Sequence, residues 1–296
     1  GAAIYIEGVN LAVEGFSFKA ANPFDKTGDV ISFARPFALQ LVSSSGNNIS
    51  GNTISGFQDG NTDYPGLTGS KTLLSTALLV TDGQNITIQN NTFTENDGFN
   101  GAAIRIEDDG TVGTPVTVQR NFFKDNDFSG LSIANFNPTI KVVAARVNIY
   151  NNRFNSNNTK SIILVEDGSG PNPGGPGGPE VQVFGNAFTQ NTNTGPVVHL
   201  NPGRNFRFIN NTVAGNKGIV QGNESAIILI GVGGTPMNGD AELDIHNNIF
   251  YDNSSANLVT DLGFQSTCDS NNGGTKNGAQ ENWSFDSGGF TGPCQD

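Results

Sequence analysis

The stretch Asn85-Ile-Thr-Ile-Gln-Asn-Asn-Thr-Phe-Thr-Glu-Asn-Asp97 decides how this chain is read. Ile86 and Ile88 lie on one side of an alternating run and Thr87 on the other, as a half-buried strand requires. Asn90 and Asn91 then interrupt it, and Phe93 resumes the apolar face. A strand that breaks on a turn residue and continues apolar beyond it is bending around a core.

The frame recurs. It reads Val116, Val118, Asn121, Phe123, then Val147, Ile149, Asn152, Phe154, then Val181, Val183, Asn186, Phe188. Further copies are Phe206, Phe208, Asn211, Val213 and Leu243, Ile245, Asn248, Phe250. A weaker copy keeps Ile49, Asn52 and Ile54, and the earliest has Leu11, Val13, Phe16 and Phe18, with Phe16 in the Asn slot. A second Asn follows at a fixed offset: Asn96, Asn126, Asn157, Asn191, Asn216 and Asn253. The intervals between copies are unequal while the frame is constant, which describes stacked coils with loops of varying size.

Between the frames lies a small-apolar-x-apolar strand, as in Ala3-Ile-Tyr-Ile6, Ala77-Leu-Leu-Val80 and Ala103-Ile-Arg-Ile106. Each coil therefore has at least two strands. Successive Asn side chains then lie about 4.8 Å apart, one strand spacing. Asn tolerates left-handed turn angles, and its amide can bond the amides above and below. The expected ladder is Asn52, Asn91, Asn121, Asn152, Asn186, Asn211 and Asn248.

On these repeated frames the chain resembles the right-handed parallel β-helix, or pectate-lyase-like, superfamily. The resemblance implies an all-β solenoid of about eight or nine coils over residues 1–262. It carries little about function, because that superfamily includes lyases, hydrolases, epimerases, tailspikes, adhesins and surface proteins.

Composition narrows the classes. Thirty-nine Gly and thirteen Pro suit a turn-rich β structure. No apolar run approaches the length of a membrane span. The net charge of −12 argues against nucleic acid as a partner. Cys268 and Cys294 fall in a Gly- and Asn-rich tail, 263–296, that lacks the repeat. They are read as a disulfide stapling that tail rather than as free thiols. That implies secretion or display at the cell surface. Residues 168–180, rich in Gly and Pro, are expected to form an extended arm, and Gly60–Thr72 a second excursion.

Enzymes of the resembled superfamily work on the outside of one sheet, with clustered carboxylates and nearby cations. The outward column of the small-apolar-x-apolar strand is expected to run Tyr5, Gln40, Leu79, Arg105, Ala134, Leu164, His199, Leu229. The best catalytic strip there is Arg105, Glu107, Asp108, Glu166 and Asp167, with Glu107 and Glu166 two coils, or about 10 Å, apart. The Asp-Pro-His-Glu, Asn-Thr-Asp and Arg-Ile-Lys signatures of epimerases and polygalacturonases are missing. Asp59, Asn61 and Asp63 alternate like the start of a Ca²⁺ loop. No cofactor is required by the sequence, and Ca²⁺ is the one it admits.

Two functions follow as expectations. The first is an extracellular structural solenoid that self-associates, head to tail into filaments. Ile4 and Ile6 would meet Leu258 and Leu262 of a neighbour, and the outward Leu79, Leu164 and Leu229 would be covered. The second is a secreted polysaccharide lyase, hydrolase or binding module.

Overall fold

The computed structural model describes residues 2–19, 37–57, 76–96, 101–108, 113–128, 138–143, 145–166, 180–193, 195–200, 205–217, 226–230, 243–253, 257–261, 276–277, 283–285 and 289–291. All of its described regular structure is β, and every strand pair is parallel. Among the described residues the chain visits three long sheets in turn and climbs one rung per circuit, with a short fourth sheet of three strands, Asp127–Phe128, Asn158–Thr159 and Thr192–Asn193. The first sheet has ten strands, from Ala2–Ile6 to Gly289–Thr291; the second and third have nine each. Among the described residues, nine circuits supply a strand to each of the three long sheets, at the upper end of the expected coil number.

The repeated frame contributes two strands, not one. Thr87–Gln89 lies in the second sheet and Thr92–Thr94 in the third, with Asn90 and Asn91 forming the corner between them. The two asparagines divide the work. Asn90 takes the left-handed backbone angle, φ 54°, that turns the chain. Asn91 is buried and carries the ladder. Arg120, Asn151, Asn210 and Asn247 repeat the left-handed position, and Gly51 and Gly185 take it where the coil has Gly.

Both Asn columns form continuous ladders. The side-chain nitrogen of Asn52 donates to Oδ1 of Asn91 at 2.9 Å, and Asn91 donates to Asn121 at 3.0 Å. The series continues through Asn152, Asn186 and Asn211 to Asn248. The second ladder runs from Asn96 through Asn126, Asn157, Asn191 and Asn216 to Asn253. Burying so many amides is tolerable only because the bonding capacity of each is used.

Inside, the alternation stacks like on like. The third-sheet column runs Ile54, Phe93, Phe123, Phe154, Phe188, Val213, Phe250, all buried. Phe93, Phe123, Phe154 and Phe188 stack with ring centroids 4.9, 4.7 and 4.8 Å apart. Each such side chain withdrawn from water contributes about 1.5–3 kcal/mol.

Two expectations change here. Ala134 lies outside the described residues; the first-sheet strand of that circuit is Pro138–Val143, and Lys141 takes the outward position. Ile140 and Val142 supply the inward pair that keeps the register. The strand around Leu258, Asn257–Asp261, is not last in its sheet. Gly289–Thr291 pairs beyond it, while Lys276–Asn277 and Trp283–Phe285 extend the other two sheets. These strands of the tail continue the stack rather than lying beside it. Cys268, Cys294 and Leu262 are outside the described residues.

Candidate functional site

The outer face of the first sheet is where the sequence directs attention. Its central column runs in register through Tyr5, Gln40, Leu79, Arg105, Lys141, Leu164, His199 and on to Leu229. Arg105 and Glu107, two residues apart on one strand and hence on one face, form an ion pair. Lys141 reaches Glu166 on the next strand, Nζ to Oε2 at 2.8 Å. Val143 separates Glu107 from Glu166. The expected strip is therefore brought together, but as two half-buried, internally neutral pairs. Asp108 follows Glu107 and donates its backbone N–H to the carbonyl of Val143 at 3.0 Å. Asp167 lies outside the described residues, as do Asp59, Asn61 and Asp63. Among the described residues, no three His, Cys, Asp or Glu side chains gather closely enough to hold a metal ion.

Leu79 and Leu164 do not form an open surface. Leu164 is 0% exposed and Leu79 9%, and His199 beside Leu164 is 1%. They are buried within the single chain, so their apolar character calls for no partner. This removes Leu79 and Leu164 from the expected subunit contact.

The second sheet holds the denser group of polar chemistry, which the sequence reading passed over. On its outer face Gln119 donates to Gln89 at 3.0 Å, Gln89 to Asn48 at 3.1 Å, and Asn48 to Glu14 at 2.8 Å. Farther along, Tyr150 Oη donates to Gln182 Oε1 at 2.8 Å, and Gln182 Nε2 to Glu180 Oε1 at 2.6 Å. Glu180 also faces two arginines: Arg146 at 3.7 Å and Arg207 at 3.6 Å. Phe184 stands edge-on to the Tyr150 ring, 6.2 Å between centroids, and is 41% exposed. Burial raises the Tyr150 phenol above its ordinary range; the Glu180 charge adds to this and Arg207 opposes it. One coil on, His246 Nδ1 pairs with Asp244 on the same face.

No local motif marks this group. Glu180 meets Arg146 and Arg207 only because 146, 180 and 207 fall on successive circuits. The usable signal was the frame itself, which places Gln182 and Arg207 on one outward column.

A stack of parallel strands in three sheets with buried Asn ladders defines a β-solenoid. Residues 2–173 match the family described as the right handed beta helix region, and the chain belongs to that family. Comparison with curated proteins and with solved structures finds no match. No helix among the described residues is long and apolar enough to cross a membrane.

Proposed function

We propose that the chain is an extracellular structural solenoid that associates with copies of itself. The observation that carries this is Phe16. From the second circuit to the eighth, the corner between the second and third sheets holds a buried ladder Asn. In the first it holds Phe16, 53% exposed, whose N–H donates to Oδ1 of Asn52 at 2.9 Å. An Asn there would offer its amide to a further rung. A Phe cannot extend the ladder and presents an apolar ring instead. Leu11 does the same above Asn47, and Val9 beside it is also exposed. A second copy, with the same three-sheet cross-section, would seat on this apolar rung, and contacts of this kind propagate when they do not close.

Sedimentation velocity and electron microscopy across a wide concentration range test this. Wild type should grow into rods, and Phe16→Asp should stay monomeric with an unchanged far-UV spectrum. A wild-type protein that is monomeric throughout overturns the reading.

The polysaccharide-enzyme reading has less support, because Glu107 and Glu166 are engaged by Arg105 and Lys141. Its test is the release of unsaturated or reducing ends from uronate polymers, with and without Ca²⁺, by wild type and Glu107→Gln.

A further inference from the structure

We infer that Asn85, Asn90 and Asn210 are attachment sites for N-linked glycans, and that the fold keeps the other described acceptor motifs bare. The inference rests on the extracellular reading above. The acceptor motif Asn-x-Ser/Thr occurs among the described residues at Asn48, Asn85, Asn90, Asn157, Asn210 and Asn253. Asn223 and Asn282 carry it outside them. A chain rich in Asn and Thr makes such motifs by composition alone. The coil separates the six.

Three have no amide hydrogen to give up. A glycosylated amide nitrogen keeps one hydrogen, and these side chains need more or have no room. Asn157 is 0% exposed, and its Nδ2 donates both to Phe123 O at 3.0 Å and to Asn191 Oδ1 at 2.9 Å. Asn253 is buried in the same ladder; its Oδ1 accepts from Asn216 and its Nδ2 donates to Val213 O, each at 2.8 Å. Asn48 is half-buried on the second sheet, with Nδ2 on Glu14 Oε1 and Ser50 Oγ.

Asn85, Asn90 and Asn210 differ in every respect. All three are exposed and take left-handed backbone angles, φ 50°, 54° and 56°. Their backbone N–H groups already bond Thr114, Gln119 and His246 on the next circuit, so the coil asks nothing of their side chains. At Asn90 and Asn210 the frame divides three consecutive residues among three roles. The first Asn is exposed, Asn91 or Asn211 enters the ladder, and Thr92 or Thr212 supplies the motif hydroxyl on the half-buried outer side of the third sheet. Asn151 and Asn247 hold the same left-handed corner but are followed by Arg153 and Ile249, so they serve as internal controls.

In the attachment, the Asn Nδ2 bonds to the anomeric carbon of an oligosaccharide carried on a lipid diphosphate. The bond from that carbon to the diphosphate oxygen breaks, the lipid diphosphate leaves with the electron pair, and the amide gives up one proton. Asn90 and Asn210 lie on one corner, four circuits or about 19 Å apart. The Asn90 circuit is two rungs, about 10 Å, from that of Phe16. Glycans there sheath the flank of the solenoid and leave its first rung open.

The test is glycopeptide mapping of the full chain, secreted by a eukaryotic host and isolated from its own cells. Peptide-N-glycosidase in heavy-oxygen water marks each occupied Asn as labelled Asp. Label is expected at Asn85, Asn90 and Asn210, and none at Asn48, Asn157, Asn253, Asn151 or Asn247. Thr92→Ala should remove the Asn90 glycan alone, seen as one step in gel mobility, and Thr92→Ser should keep it. Secreted, folded protein that is bare at Asn90 and Asn210 overturns the inference and leaves the extracellular reading standing. So does a glycan on Asn48, Asn157 or Asn253 in folded protein. Protein found in the cytosol of its own cells overturns the extracellular reading, and the attachment with it.

Discussion

Asn91 and Asn121 are joined twice: the side-chain nitrogen and the backbone N–H of Asn91 both donate to Oδ1 of Asn121, each at 3.0 Å. Asn121 in turn donates from its own side chain to Oδ1 of Asn152 and to the carbonyl of Ile88. One buried amide therefore makes four bonds reaching two neighbouring circuits. The corner is rigid because nothing in it can rotate without stranding a polar group.

Asn121→Ala removes all four bonds and leaves Asn91 and Ile88 with buried groups unmatched. The expected loss is at least about 3 kcal/mol, since each stranded group costs about 1–3 kcal/mol. Chemical denaturation reads it as a lower midpoint at similar slope. A loss under 1 kcal/mol would mean that water replaces the amide.

Asn121→Asp adds a pH signature. An ionised carboxylate at 121 would still accept from Asn91 but would face the oxygens of Asn152 and Ile88 with no proton to give. Its folded pKa is therefore raised above the unfolded value of about 3.9. A raised folded pKa means that stability is fully present below the unfolded pKa and is lost as pH rises through the folded one. The deficit relative to wild type should be larger at pH 7 than at pH 4. A deficit that is flat or grows on acidification contradicts the ladder geometry.

The aromatic column has one irregular place. Val213 follows Phe188 in register, and Phe208 of the second sheet leans in, 5.9 Å from Phe188 and 6.5 Å from Phe250. Phe123→Ala, inside the regular stack, should cost about 3–5 kcal/mol. Val213→Phe restores the column in sequence but meets space that Phe208 already uses. It should destabilise by about 1–3 kcal/mol through overpacking. Stabilisation by Val213→Phe would show the place to be a void instead.

The sequence made the ladder and the inner third-sheet column legible because a fixed offset from apolar position to Asn survives unequal loops. The corner was read as one bend within a strand, since nothing in the frame distinguishes a bend from a change of sheet. Ala134 stands in the expected outward column because Leu-Ser-Ile-Ala alternates as well as Thr-Ile-Lys-Val does. Only pairing with Ile104 and Ile163 separates the two. The Glu180 row was missed for a related reason. Charge partners in a solenoid lie a whole circuit away, and circuit length here varies with the loops.

The last prediction concerns Tyr150. Burial, with the Glu180 charge second, raises its phenol above the ordinary value of 10.0, while Arg207 pulls it the other way. The protonated phenol is the form that donates to Gln182. Because the folded pKa is raised, the contribution is present below the unfolded pKa near 10 and is lost as pH climbs through the folded one. Stability measured from pH 9 to pH 11 should fall more steeply in wild type than in Tyr150→Phe. At pH 7 the same substitution should cost only about 1 kcal/mol, one exposed-edge hydrogen bond. Removing Glu180 as well, in Tyr150→Phe with Glu180→Gln, should add no further change in slope above pH 9. If Tyr150→Phe and wild type fall in parallel through that range, the phenol is not held by the Gln182–Glu180 row, and the row is looser than the 2.8 and 2.6 Å bonds describe.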